Sequence, residues 1–190
     1  SYGGDLYVAI MTIINSIREV ISLPGQGLAN ASQPVLGFNY GAKQYQRVLQ
    51  GMKFVTIASL VTSLLLWGCV TSLPELFIRI FSHNQDIISH GVVSIRLYFF
   101  GFFMMSFQMT GQAIAVGLGK SKQAVFFSIF RKVIIVAPLT IILPRFIGIN
   151  GVFIAEAISN FIGGGACYIT MLLTIGKELM KKSKEVDLIK

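Results

Sequence analysis

The residues of this chain that have chemistry to offer stand where an apolar helix tolerates them least. Asn15, Arg18 and Glu19, then Gln26, Asn30 and Gln33, punctuate an otherwise apolar run. Residues three, four and seven apart return to the same side of a helix, so the six mark an inward-facing polar stripe. Arg18 and Glu19 are neighbours, about 100° apart around a helix, and cannot simply face each other. Each needs another partner. Either they snorkel or lock a helix pair, or they handle a proton or a cation. A second set follows in Arg96, Gln108 and Gln112, with Ser106 and Thr110 between them. Gln108 and Gln112 are four apart, and amides so placed hydrogen-bond a substrate, a neighbouring helix or cavity water. Glu156 and Asn160 repeat that spacing, and the carboxylate is expected to find Arg96 or Arg18 across the bundle. A charge at the centre of a bilayer costs about 2.5 to 3.5 kcal/mol on insertion scales, so such groups are retained only beside a partner or water.

The elements that hold these residues follow from composition. Apolar residues make up 54% of the chain and charged ones 13%, with a mean hydropathy of +0.71. A soluble domain carries roughly 25% charged residues. A hydrocarbon core about 30 Å thick takes roughly 20 apolar residues per helical crossing. Five segments reach that length, over 6–38, 54–80, 87–118, 124–142 and 152–175, followed by a polar tail over 176–190. The fold class is therefore all-α: a polytopic membrane protein with a bundle of five transmembrane helices in one domain. The first and third segments exceed the minimum by a turn or more, so tilt or kinks are expected there, with Pro24 and its glycines as the favoured hinge. Pro74 breaks the end of the second segment ahead of a short amphipathic helix. Asn84 or Asp86 caps the third.

The net charge of +8 is placed for topology. Lys43, Arg47 and Lys53 follow the first helix, and Lys120, Lys122, Arg131 and Lys132 surround the third turnaround. Lys177, Lys181, Lys182, Lys184 and Lys190 occupy the tail. The alternate turnarounds hold only Arg79 and Arg145. The positive-inside rule puts the basic loops and the C-terminus in the cytoplasm. No aromatic interleaving or base-reading pattern accompanies these charges, so nucleic acid is not an expected partner. Ser1-Tyr2-Gly3-Gly4-Asp5 reads as a loop cut open, without initiator Met or signal peptide. Cys69 and Cys167 read as packing residues, and His83 and His90 as solvated polar residues with no coordinating companion, so no metal site is expected. Gly117-Leu118-Gly119-Lys120-Ser121 lacks the spacing and the strand of a phosphate loop. No nucleophile, base or metal triad gathers at one membrane face, and an enzyme is not expected. The run Tyr98, Phe99, Phe100, Phe102, Phe103, Met104, Met105 and Phe107 covers every side of a helix, so no more than a third of it lines any cavity.

Three passages carry a family resemblance. Pro24-Gly25-Gln26-Gly27, then Gln33-Pro34, then Gly37-Phe38-Asn39-Tyr40-Gly41-Ala42-Lys43, resembles a helix-to-loop signature of the multidrug and toxic compound extrusion (MATE) family. There, glycines and a glutamine precede a proline and Gly-x-Asn-x-Gly-Ala-Lys. The passage over 107–120, with Gln108 and Gln112 ahead of Gly117-Leu118-Gly119-Lys120, is similar to a second family pattern. Gly151-Val152-Phe153-Ile154-Ala155-Glu156 resembles the start of the family's last helix, with Ala157 where a proline and Asn160 where an aspartate is common. The resemblance extends over 5–177. It implies helices eight to twelve of a twelve-helix transporter, hence most of the C-terminal lobe, with the N-terminal lobe as the missing partner. It implies antiport in the cell (inner or plasma) membrane, in which a proton or sodium ion enters as a lipophilic, often cationic, drug leaves, with no resident cofactor. The family's coupling carboxylate on the seventh helix would lie before Ser1, so the chain alone is not expected to transport. Two alternatives remain open at this point: a lipid-linked oligosaccharide flippase of the same superfamily, kept alive by Arg18 and Arg96, and a non-transporting membrane scaffold. Gly163-Gly164-Gly165 reads as a close helix contact or a hinge.

Overall fold

The structure, a computed structural model, describes residues 4–148 and 150–187. Ser1, Tyr2, Gly3 and Lys190, and the side chain of Arg131, lie outside the described set. Helix α1 runs over Gly4–Gly41 and α2 over Tyr45–Ser72. The short α3, Pro74–Arg79, precedes α4, Gln85–Phe99, and a single 3₁₀ turn at Phe102–Met104 leads into α5, Met105–Gly117. Helices α6, Ser121–Ile129, and α7, Ala137–Ile147, are joined by a π-helical stretch at Phe130–Val136. Helix α8, Asn150–Met171, passes through another at Leu172–Gly176 into α9, Lys177–Asp187.

Among the described residues four helical runs are long and apolar enough to cross a membrane: Gly4–Gly41, Tyr45–Ser72, Gln85–Gly117 and Asn150–Val186. The expected crossing over 124–142 is not among these four, although it lies within the unbroken helical run of α6, the π stretch and α7. Boundaries shift as well. The second crossing starts at Tyr45, nine residues before the position read from its apolar content, because a helix continues through Arg47 and Lys53 until the turn after α1 stops it. It ends at Ser72 and not at residue 80, since Pro74 opens the separate α3.

Helix α1 contains both Pro24 and Pro34 and is helical throughout, so the expected hinge at Pro24 does not interrupt it. At about 1.5 Å per residue its 38 residues extend some 57 Å, well beyond one hydrocarbon thickness. The interruption falls in the third crossing instead, at Gly101. A side chain there would stand 2.8 Å from the carbonyl oxygen of Ala157 and against the ring of Phe161, so α4, the 3₁₀ turn and α8 meet at a point only glycine fits. The Asn84 side chain caps α4, accepting from the backbone N–H of Asp86 at 2.8 Å.

The bundle has two packed clusters, one toward each end. Ile10, Ile14, Ile17 and Ile21 of α1 meet Ile88, Ile95, Tyr98 and Phe99 of α4, with Phe102 and Phe153. Much of the aromatic run thus fills this core. Trp67 and Phe103 stack edge to face at 5.5 Å, and Phe103 meets Phe161 at 5.8 Å. The second cluster joins Leu36, Val48 and Met52 to Ile114, Leu118, Met171, Ile175 and Leu179. Leu179 belongs to the tail, which packs against the bundle through one face and is not merely solvated. Between the clusters, α1 buries only small residues: Ser22, Gly25, Ala29 and Ser32.

Candidate functional site

Small residues let two helices approach closely at one point and diverge from it. Helices α1 and α5 do this at Gly37 and Gly117. A Cβ on Gly37 would stand 2.8 Å from the Gly117 carbonyl oxygen, and one on Gly117 would stand 2.9 Å from that of Gln33. Beside this contact lies a groove of about 330 Å³. Helix α1 lines it with Gln26, Asn30 and Gln33, and α5 with Met109, Gln112 and Val116.

The amides are arranged and not scattered. Gln33 Nε2 donates to Asn30 Oδ1 at 3.1 Å. Gln112 Nε2 is buried without a hydrogen-bond partner. A buried donor left unsatisfied costs about 1 to 3 kcal/mol, so this one is a standing demand for an acceptor. The groove thus offers amide donors and acceptors beside a soft thioether. Among the described residues none of those lining it carries a charge, so the groove can hydrogen-bond and pack a guest but cannot itself release or take up a proton.

The stripe read from α1 is coherent, with one change of orientation. At about 100° per residue, Asn15, Glu19, Gln26, Asn30 and Gln33 fall on one side of the helix, roughly a quarter-turn or more from the buried face. That side is the rim of the bundle and not its interior: Glu19, Gln26 and Asn30 are exposed and Asn15 and Gln33 half-buried. Arg18 sits nearer the buried face, half-buried, and its carbonyl accepts from Ser22 Oγ at 2.6 Å. Arg18 therefore leaves the stripe.

The other pairs separate. Gln108 is buried between helices, where Cys167 Sγ lies 3.9 Å from its carbonyl oxygen, and does not line the groove that Gln112 enters. Glu156 is half-buried and Asn160 buried in α8. Among the described residues no ion pair joins Glu156 to Arg18 or Arg96. Arg96 is exposed and lines a different cavity with Pro74, Glu75 and Arg79, away from Glu156. There Arg79 is already held by Glu75 at 2.7 Å. His83 and His90 are both exposed, and the His90 ring lies edge-on to Tyr7 at 6.0 Å.

Two polar groupings lie beyond sequence reasoning. Lys120, in the turn after α5, pairs with Glu178 of α9, which also holds Lys182 at 2.7 Å. Lys182 Nζ donates to Tyr40 Oη at 3.2 Å and lies 5.3 and 5.8 Å from the Tyr40 and Tyr45 ring centres. The spacing of Glu178 and Lys182 signals half of this network, whereas the reach to Lys120 and Tyr40 is set by the fold alone. Tyr168 Oη also donates to Thr56 Oγ1 at 2.9 Å, tying α8 to α2.

Comparison with solved structures places this bundle. The chain superposes on a MATE in complex with MaL6 with a TM-score of 0.88 at 19% identity, covering 95% of this chain and 41% of that one. An outward-facing multidrug resistance MATE family transporter of the MOP superfamily matches with a TM-score of 0.88 at 20% identity, again over 95% and 41%. The MATE multidrug transporter DinF-BH, solved as a complex, matches with a TM-score of 0.81 at 28% identity, over 91% of this chain and 39% of that one. The chain therefore spans about two fifths of the length of the transporters it matches. No curated protein matches it in sequence. The family model MatE matches residues 1–142, three quarters of the sequence, and with the apolar helices this makes the chain a multi-pass membrane protein that belongs to the MatE family of transporters.

Proposed function

We propose that the chain forms most of the C-terminal lobe of a cation-coupled multidrug antiporter, and that the α1–α5 groove is this lobe's contribution to the substrate path. The observation that carries the reading is the unpartnered Gln112 amide donor beside Gln26, Asn30 and Gln33 in an uncharged groove. Such a site holds a lipophilic, often cationic, guest by packing and by one or two hydrogen bonds, and tolerates many shapes because amides and Met adapt. Solved relatives are consistent with a lobe that moves as a unit: an inward-facing transporter matches this bundle with a TM-score of 0.87 and an outward-facing one with 0.88. Alternating access then arises from rocking of this lobe against its N-terminal partner.

Coupling is assigned outside the groove. Glu19, on the exposed polar side of α1, and Glu156, half-buried in α8, are the carboxylates proposed to take the proton or sodium ion, whose occupancy biases the inward and outward states. The family resemblance implies the inner or plasma membrane, and the lysine and arginine asymmetry supports an orientation with the basic turns and the C-terminus in the cytoplasm. The oligosaccharide-flippase alternative would draw on cations facing the cavity. Arg18 and Arg96 do not line the groove, and amides stand there instead.

The test is Gln112→Leu in the full-length protein reconstituted in proteoliposomes with imposed pH or sodium gradients. The expected outcome is about a tenfold rise in the substrate concentration giving half-maximal efflux, from loss of roughly 1.4 kcal/mol of hydrogen bonding, with thermal stability unchanged or raised. Unaltered efflux at every substrate concentration would remove the groove from the path.

A further inference from the structure

A second cavity lies at the opposite end of α1 from Asp5, in the turn that joins α1 to α2, and has a different character from the groove. It encloses about 460 Å³ and is lined by Lys43, Gln44, Gln46 and Arg47 together with Ser183 of α9. That volume is within the range of small-molecule sites. Among the described residues none lining it is acidic, and neither Lys43 nor Arg47 takes part in an ion pair. The contrast with nearby Lys182 is sharp, since Lys182 is neutralised by Glu178 and engaged by Tyr40. Among the described residues, two cations without an ion-pair partner therefore line one concave, hydrogen-bonding surface.

The backbone supplies an independent observation. Lys43 has a φ of 58°, the sole non-glycine residue with positive φ among the described residues. Its N–H bonds the Tyr40 carbonyl at 3.0 Å and that of Gln44 bonds Asn39 at 2.9 Å, closing α1 as a left-handed C-terminal cap. Glycine fills such a position without strain, and Gly41 is only two residues away. A lysine there carries a modest backbone cost, and the cap fixes its Cα beside the cavity that its side chain lines. The cavity sits between the C-terminal end of one helix long and apolar enough to cross a membrane and the N-terminal end of the next, at the basic turn that joins them.

We propose that this pocket binds a phosphate-bearing anion presented as the headgroup of an anionic membrane lipid, with Lys43 and Arg47 holding the phosphate and Gln44 and Ser183 facing its polar substituent. Arg47 supplies a fork suited to phosphate oxygens and Lys43 a mobile point charge. Occupancy would tie the α1–α2 turn and α9 to the bilayer surface, fixing this end of the lobe.

The experiment is native mass spectrometry of the full-length protein released from nanodiscs of equal parts phosphatidylcholine and phosphatidylglycerol. The wild type is expected to retain phosphatidylglycerol, Lys43→Gln combined with Arg47→Gln to lose at least about fivefold of that retention, and the charge-preserving Lys43→Arg with Arg47→Lys to restore most of it. Lys181→Gln with Lys184→Gln removes the same charge from exposed tail positions and is expected to leave retention intact. Equal retention by the Lys43 and Arg47 glutamine variant, or equal loss in the tail variant, overturns the proposal. Inorganic phosphate added to lipid-free protein separates the sources: phosphate binding without retained phosphatidylglycerol assigns the pocket to a soluble anion and overturns the lipid assignment.

Discussion

The two halves of α1 solve opposite problems with the same backbone. Over its first five turns the buried face is isoleucine at positions 10, 14, 17 and 21, all nearly inaccessible and interlocked with the aromatic side chains of α4. Over the next turns the same face carries Ser22, Gly25, Ala29 and Ser32, and the neighbouring face carries Gln26, Asn30 and Gln33. Large branched side chains fill space and shut water out. Small ones let backbones approach at Gly37 and Gly117, leaving a groove beside the contact that amides line together with Met109 and Val116. Within a bilayer the driving force for both is packing and hydrogen bonding, because lipid tails are as apolar as the side chains they would release. A membrane helix can thus change from seal to groove wall along its length by changing side-chain volume, with no change of secondary structure.

The comparison breaks most readily at its narrowest point. Gly117→Val puts a branched side chain where even a Cβ lies 2.9 Å from the Gln33 carbonyl oxygen and 3.0 Å from its Cα, and neither backbone atom can step aside. The helices must separate, at about 3 kcal/mol for overpacking of this kind. We expect a fall in the folded yield of the full-length protein, read by size-exclusion chromatography in detergent, and efflux reduced with it. Ile14→Ala probes the other half. Ile14 is 0% exposed, and its truncation leaves a cavity among Ile88, Ile95 and Phe99 costing about 2 kcal/mol. The measured sign is a lowered melting temperature with the substrate concentration for half-maximal efflux unchanged. If Ile14→Ala altered that concentration as strongly as it altered melting, the two halves would be one functional unit and the distinction drawn between them would fail.

Much of this division is legible in the order of the amino acids. The isoleucines recur at helical spacing, and Gln26, Asn30 and Gln33 declare a polar side by the same period, so α1 and its stripe follow from the sequence. Which way the stripe faces does not. A period fixes the angle between two faces but not which one meets the bundle, and the amides lie on the rim because Gly25, Ala29 and Ser32 pack better. Gln108 and Gln112 show the limit in another form. Four residues apart, they differ by roughly 40° around the helix, enough for α8 to bury one while the groove receives the other. The tail reads as merely polar because its lysines dominate its composition, whereas Leu179 and Glu178 decide where it packs. Lys43 is similarly opaque, since a basic loop residue looks alike in any backbone conformation.

The finest test of the comparison is a polar contact that stability hardly registers. The Gln33 to Asn30 hydrogen bond spans three residues of one helix at the groove edge, and such pairs contribute about 0.2 to 0.5 kcal/mol to an isolated helix. Gln33→Ala should therefore shift the melting temperature by less than Ile14→Ala does. It frees Asn30 Oδ1 and removes one amide from the wall facing Gln112, so its effect falls on recognition: about a threefold change in the substrate concentration for half-maximal efflux, greatest for substrates rich in hydrogen-bonding groups and least for purely aromatic ones. Measuring a polar and an apolar substrate side by side separates the readings. A polar half that binds gives a substrate-dependent change, whereas a half that merely packs gives the same small change for both, and that result would reduce the groove to a gap between helices.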